Sequence, residues 1–114
     1  MISYGDFAKL EIRIGEILVV AVVEDADKLL ALTVDFGEVG EDGARRTRQI
    51  VSGIRTFFED PQSLVGRKCP FLTNLEHRTI RGLESEGMIL AASANGALAL
   101  LNPSVDVPVG TRIS

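Results

Sequence analysis

The sequence predicts an all-β domain, a small barrel of five or more short strands. β-Branched and apolar residues recur in short segments that turn residues separate, as half-buried strands require. One short helix signal interrupts the series, and the dipeptide Asn95-Gly96 marks a tight hairpin near its end. At 114 residues with 46% hydrophobic content, the chain suffices for one core. We therefore expect residues 1–114 to form a single domain.

The N-terminal segment predicts a short helix that precedes the strands. Ser3 is a candidate N-cap, and Phe7 and Leu10 lie about one turn apart on the same side. Such a helix would lie as a lid on the sheet.

Six segments are predicted as strands because they are rich in β-branched and apolar residues. They are residues 11–23, 29–36, 46–54, 67–75, 88–92 and 98–101. Gly15 interrupts the first of them and predicts a bulge or bend. The acidic residues 37–43 predict a hairpin loop, residues 76–82 an irregular basic stretch, and residues 105–113 a loop with a short edge strand.

A second helix is predicted between the third and fourth strands. Asp60 is its candidate N-cap, Pro61 takes its first position, and Gly66 ends it. This order of elements is that of the OB-fold, a five-stranded Greek-key barrel, here with short helices and added terminal segments. The face of strands 2 and 3 in that fold commonly binds oligonucleotides. Other small barrels fit the strand count as well.

Charge is distributed unevenly along the chain. The net charge is -4, yet residues 1–42 hold 3 basic and 10 acidic side chains, residues 43–82 hold 8 and 3, and residues 83–114 hold 1 and 3. An acidic protein is an unusual binder of nucleic acid, since phosphates are neutralised by Lys and Arg. The basic middle third is therefore either a binding surface or an ordinary solvated one.

The sequence contains few residues that could form a catalytic or metal-binding site. Cys69 and His77 are single residues of their type, so no internal disulfide or four-ligand zinc site can be assembled from one chain. The stretch around Ser85 has the wrong spacing for a nucleophile elbow. We expect no enzyme activity, no cofactor and no bound metal.

A membrane-spanning segment is not predicted. The longest apolar run, residues 17–23, covers 7 residues, whereas a span needs about 20. No secretion signal is recognisable at the N-terminus, so we expect a cytoplasmic protein.

Six stretches, taken in order and spacing, resemble one family over about residues 4–113. They are DFAKLEIRIG (6–15), ADKL (26–29), VDFG (34–37), IVSGI (50–54), NL (74–75) and RGLESEGMILAA (81–92). They are similar to the tRNA-binding domain found at the C-terminus of many methionyl-tRNA synthetases, in synthetase accessory proteins, as free-standing tRNA-binding proteins, and in CsaA-type export chaperones.

The resemblance implies an OB-fold module that binds folded tRNA by its shape and backbone, contributes no catalytic group and often forms a homodimer through its terminal segments. It implies a binding side in the loop after strand 1, on strand 3 and between strands 4 and 5. The residues on that side are Lys28, Arg48, Ser52, Asn74, Arg81, Ser85 and Met88.

The residues themselves support part of this assignment. Arg48 and Ser52 have the same parity on a strand and so share a face, and Arg78 and Arg81 lie on the loop that would border it. Most aromatic residues lie on core positions, which favours backbone recognition over base stacking. Ser85 could equally be a turn hydroxyl and Met88 a core thioether.

Three functions fit these observations. The first is binding of tRNA by a homodimeric accessory module. The second is a CsaA-like chaperone that binds unfolded peptides on the same face, for which acidic character is no handicap. The third is an assembly module that docks on an aminoacyl-tRNA synthetase.

Overall fold

The computed structural model describes residues 1–114, most of whose regular structure is β. The nine strands are β1 (Ile12–Val22), β2 (Leu30–Val39), β3 (Arg45–Ser52), β4 (Lys68–Leu72), β5 (Arg78–Ile80), β6 (Leu83–Ser85), β7 (Met88–Ile89), β8 (Ala91–Ala94) and β9 (Ala97–Leu100). Five of them form an antiparallel sheet in the order β3-β2-β1-β4-β7, while β5-β6 and β8-β9 are separate hairpins.

The sheet curls, and the end of β6 together with the residues after it covers the edge of β3. The Val51 amide donates to the Ser85 hydroxyl at 3.0 Å, and the Glu86 amide donates to the Gln49 carbonyl at 2.8 Å. Residues 84–87 therefore bridge the gap between β3 and β7, as a small barrel requires. The predicted all-β, OB-like architecture is confirmed.

The core lies inside this curled sheet. Twelve buried residues form one cluster, and Ile17, Leu30, Leu32, Ile50 and Phe71 within it are completely buried. Each such side chain contributes about 1.5–3 kcal/mol through removal of its apolar surface from water. The core thus fixes the strands whose ends and loops carry the polar surface residues.

The helices are shorter than predicted. Helix α1 spans Tyr4–Ala8, with a capping box between Ser3 and Asp6. The predicted second helix is a four-residue 3₁₀ turn, Pro61–Leu64, capped by Asp60, and another 3₁₀ turn spans Arg55–Phe57. No helix in the chain has the length and apolar character needed to cross a bilayer.

Gly15 is required by packing, and the predicted bulge lies elsewhere. Gly15 pairs regularly with Cys69, and the register of β1 shifts between Ile17 and Val19 instead. A Cβ on Gly15 would lie 2.6 Å from atoms of both Phe36 and Val34. The glycine therefore permits close packing of β2 side chains against β1.

The second half of the chain contains more strands than predicted. Residues 76–82 were expected to be irregular, but β5 and β6 form a hairpin there. Residues 88–92 divide into β7 and β8 because β7 pairs with β4, whereas β8 pairs with β9. The tight turn at Asn95-Gly96 is confirmed, with φ of 53° and 77°. The short edge strand near the C-terminus is a single bridge between Arg13 and Arg112.

Candidate nucleic-acid interface

An open groove of about 530 Å³ lies between the β1-β2 loop and the β5-β6 hairpin. Lys28 and Arg81 supply the positive charge on its two sides, and Asp27 is its one carboxylate. Ala26, Leu29 and Ile80 complete its lining. No aromatic side chain lines this groove, which we call the cationic groove.

The β5-β6 turn presents Arg81. Arg81 and Gly82 both have positive φ, 51° and 80°, as a two-residue type I′ hairpin turn requires. Arg81 is exposed at this tip, and Arg78 is exposed at the start of β5. Neither guanidinium, nor the Lys28 ammonium, forms a salt bridge within the chain. These three charges therefore remain available to a ligand.

Ser52 lies near the groove but turns inward. It pairs with Leu30 at the end of β3 and is half-buried. The parity argument that placed Ser52 and Arg48 on one face holds, yet Ile50 between them is completely buried. That face of β3 is consequently the core side of the strand.

Arg48 is bound to the protein itself, in the middle of β3. Its Nε and Nη2 atoms each donate to a carboxylate oxygen of Glu38 at 2.8 Å. Nη1 donates to the carbonyls of Thr73 at 2.6 Å and Glu86 at 3.2 Å. The guanidinium carbon also lies 5.5 Å from the centre of the Phe36 ring. Its side chain is only 15% exposed. Arg48 therefore links β3 by hydrogen bonds to β2 and to the segments that follow β4 and β6.

Each member of the Arg48–Glu38 ion pair stabilises the charged form of the other. The hydrogen bond from Arg48 and its positive charge lower the pKa of Glu38 below its ordinary value, against the effect of burial. The hydrogen bond to Glu38 likewise raises the pKa of Arg48, again against burial. Both groups are therefore ionised at neutral pH, and each offsets the desolvation of the other.

Ser85 and Asn74 also make bonds within the protein. Ser85 is 1% exposed, accepts from the Val51 amide and donates to the Gly87 carbonyl at 3.0 Å. The Asn74 carboxamide accepts from the Glu11 amide at 2.9 Å and donates to the Lys9 carbonyl at 2.7 Å. It thereby fixes the segment between α1 and β1.

Met88 is 38% exposed and lies in β7, paired with Leu72. The eight residues assigned from the sequence thus fall into different environments. Lys28, Arg78 and Arg81 are unpaired cations on the β1-β2 loop and the β5-β6 hairpin. Arg48 and Asn74 line a separate depression of about 370 Å³ with Glu11, Arg13, Phe36, Glu38 and Thr73.

Sequence reasoning missed two kinds of residue. Glu38 and Glu86 form ion pairs with nearby arginines. Arg46, for example, contacts Glu38 at 3.6 Å and Glu86 at 3.2 Å. Arg55, whose amide donates to the Lys28 carbonyl at 3.2 Å, also lies beside the β1-β2 loop. The surplus of arginine in the middle third was the available signal for Arg55, but no pattern in the sequence separates paired from unpaired cations.

Residues 12–112 match the family described as "Putative tRNA binding domain". The chain belongs to this family. The resemblance carried by the six sequence stretches is therefore confirmed. Among curated relatives, a methionine-tRNA ligase of Deinococcus radiodurans is 46% identical over 114 residues, which cover 99% of this chain and 16% of that protein. The chain thus spans about one-sixth of the length of such ligases.

Solved structures of similar size share the fold. A MetRS-related protein from Pyrococcus horikoshii superimposes with a TM-score of 0.88 at 30% identity, covering 100% of this chain and 98% of that one. The chaperone CsaA from Bacillus anthracis gives a TM-score of 0.81 at 28% identity, with coverage of 100% and 99%. Both likenesses extend over the whole domain, including the terminal segments.

Proposed function

We propose that residues 1–114 act as one tRNA-binding module that holds folded tRNA through its backbone at the cationic groove. The observation that carries this proposal is that two cations without a salt bridge, Lys28 and Arg81, line the groove, with Arg78 as a further exposed cation on the same hairpin as Arg81. Most other cations of the chain are held by carboxylates or by backbone carbonyls. Membership of a tRNA-binding family supports tRNA as the nucleic acid.

Recognition of the RNA backbone fits the chemistry of the groove. Its lining offers two cations and aliphatic side chains but no aromatic ring on which a base could stack. Lysine and arginine bind phosphates, and arginine does so with two parallel hydrogen bonds. The net charge of -4 works against long-range attraction, so we expect micromolar affinity and a modest dependence on salt.

A salt titration of tRNA binding tests the proposal. Total tRNA is titrated by fluorescence anisotropy against the parent, Lys28→Gln, Arg81→Gln and the control Lys9→Gln. Removal of one cation that binds a phosphate should weaken binding and flatten the log-log salt slope by about 0.7 to 0.9. Lys9 is an exposed cation on the α1 side that pairs with Asp6 at 3.8 Å, so its variant should retain the parent slope. Equal losses of affinity in all three variants would indicate diffuse attraction and reject a specific groove.

We also propose that the module is a homodimer. Tyr4, Phe7, Leu10 and Ile113 line an apolar depression of about 400 Å³ between α1 and the C-terminus. Tyr4 is 80% exposed there, and a second copy would cover this surface. Light scattering at micromolar concentration should give the mass of two chains, and a mass of 12.3 kDa throughout that range would reject the dimer.

A second candidate function is binding of unfolded peptides, as the name of the chaperone CsaA suggests for that neighbour. The acidic net charge favours this function for basic segments. Separate direct titrations of the protein with tRNA and with an unfolded basic polypeptide distinguish the two functions. Tight polypeptide binding without any tRNA binding would leave the chaperone function alone.

The proposal also covers catalysis, cellular location and a partner enzyme. We infer that the module contributes RNA contacts and no catalytic group, that it acts in the cytoplasm, and that docking on an aminoacyl-tRNA synthetase would bring bound tRNA to that enzyme. Assays for aminoacylation, nuclease and esterase turnover should give no signal. Activity that disappears in Ser85→Ala or His77→Ala would contradict this inference.

A further inference from the structure

A second groove, of about 480 Å³, lies on the other side of the β1-β2 loop. Asp27 lines both grooves, so the two recesses are neighbours separated by that loop. The wall opposite the loop comes from the 3₁₀ turn Arg55–Phe57 and the residues that follow it. The lining consists of Val22, Asp27, Arg55, Thr56, Phe58, Glu59 and Pro61. We call this recess the mixed groove.

The polar groups of the mixed groove differ from those of the cationic groove. It contains one guanidinium, from Arg55, and two carboxylates, from Asp27 and Glu59, and none of the three forms a salt bridge within the chain. Asp27 and Glu59 are exposed, while Arg55 is half-buried. Two acceptors for one cation make this recess unsuited to a phosphate. They suit a ligand that offers N-H donors.

The aromatic content of this region is also higher than the sequence indicated. Phe58 lines the groove and also packs on the core cluster, so its ring is held in place. Phe57, the residue before it, is 43% exposed. Next to the groove, the Gln62 side chain donates to the Val20 carbonyl at 2.8 Å and so attaches the 3₁₀ turn that begins at Pro61 to β1. A volume of this size lies within the usual range for small-molecule recesses, about 300–1,000 Å³.

We propose that the mixed groove takes one unpaired, amino-bearing base of the RNA whose backbone lies in the cationic groove. This proposal rests on the tRNA-binding function proposed above. Unpaired bases in RNA are recognised by stacking on aromatic rings or guanidinium planes and by hydrogen bonds to their edges. Carboxylates accept from the exocyclic amine of cytosine, and uracil has no such amine. The base is therefore cytosine or another amino-bearing base, and uracil is discriminated against.

The direction in which RNA affinity changes when the groove carboxylates are removed tests the proposal. Removing carboxylates beside an RNA strengthens binding if only electrostatics matters, whereas it weakens binding if those carboxylates accept from a base. The test variant is Asp27→Asn/Glu59→Gln. Its control is Glu24→Gln/Asp25→Asn, which also removes two negative charges, both from the β1-β2 loop and outside both grooves. Asn also tolerates the positive φ of Asp25, 59°.

We expect the test variant to bind total tRNA about tenfold more weakly than the control variant, as loss of one base-specific contact predicts. Its salt slope should equal that of the parent, since no phosphate contact is removed. Tetracytidylate should compete with tRNA better than tetrauridylate for the parent, and Glu59→Gln alone should reduce this preference because Glu59 lines only the mixed groove. Thermal unfolding midpoints verify that all variants are folded.

Three results would overturn the proposal. One is a test variant that binds tRNA as tightly as its control while Lys28→Gln and Arg81→Gln still weaken binding; the tRNA-binding function would then stand without the base site. Another is equal competition by the two tetranucleotides. The third is weakened binding of an unfolded basic polypeptide, but not of tRNA, in the test variant, which would assign the groove to peptides. A parent protein that binds no tRNA at any salt concentration would reject both proposals.

Discussion

Arginines beside β3 are used in opposite ways. In the middle of the strand the Arg48 side chain is 15% exposed and donates to Glu38, Thr73 and Glu86, so its hydrogen-bonding capacity is used within the protein. Near the C-terminal end of the strand Lys28 and Arg81 are exposed and form no salt bridge within the chain. The same residue type therefore ties the barrel together in one place and remains available to a ligand in the other. Neighbouring acidic residues, not the density of arginine, distinguish the two regions.

Removing Arg48 should give the largest effect on stability. In Arg48→Ala the Glu38 carboxylate and two carbonyls lose a charged donor, and we expect a loss of about 2 to 4 kcal/mol in the free energy of unfolding. Urea denaturation measures it, with the exposed Arg45→Ala as control. RNA binding by the fraction that remains folded should keep the parent salt slope. A flattened slope in a fully stable variant would instead make Arg48 a phosphate contact.

Ser85→Ala should come next and should connect the two regions. The variant leaves the Val51 amide without its acceptor in a buried position, so we expect a loss of about 1 to 3 kcal/mol. Because residues 84–87 also carry the β5-β6 hairpin, tRNA affinity measured on folded protein should fall as well. Ser85→Thr keeps the hydroxyl and serves as the control. Unchanged affinity in a destabilised Ser85→Ala would show that the hairpin is positioned independently of this bond.

Charge reversal at Arg81 should affect binding alone. We expect Arg81→Glu to weaken tRNA binding by more than tenfold and to leave the urea midpoint near that of the parent, because surface substitutions usually change stability by less than about 0.5 kcal/mol. Arg45→Glu is the comparison, since Arg45 pairs with Asp35 at 3.8 Å away from the cationic groove. If both variants weaken binding equally, the groove has no special role.

The smallest expected effect is the loss of folding stability at acidic pH. The pKa of Glu38 is lowered from an ordinary value near 4.5, so the ion pair with Arg48 contributes stability that is complete above that value. This contribution is lost as pH falls through the lowered pKa. Glu38→Gln should therefore be destabilised at neutral pH and should lose less stability than the parent below pH 4.5. Parallel pH profiles for the two proteins would contradict this assignment.

Much of the fold could be predicted from local patterns, and the site only in part. Alternation and β-branching identified the strands of the main sheet, and Asn95-Gly96 identified the separate β8-β9 hairpin. The bulge was misplaced because Gly15 is explained by a contact with Phe36 and Val34, which are distant in sequence. For the same reason no sequence pattern indicated that Arg48 is bonded within the protein, since its partners lie 10 to 38 residues away. The resemblance implied that Lys28 and Arg81 share a binding side, and both residues line the cationic groove.

The attachment of residues 84–87 to β3 also has a kinetic consequence. Polar bonds hold this segment to the strand edge, and the β5-β6 hairpin has strands of only three residues, in which a single side chain, that of Ser85, is buried. Such elements open locally at a lower free energy than a packed core does. Amide hydrogens of the hairpin should therefore exchange with solvent much earlier than those of β1 and β2. Bound RNA that bridges Lys28 and Arg81 should slow that exchange, so protection factors at the hairpin report occupancy of the groove directly.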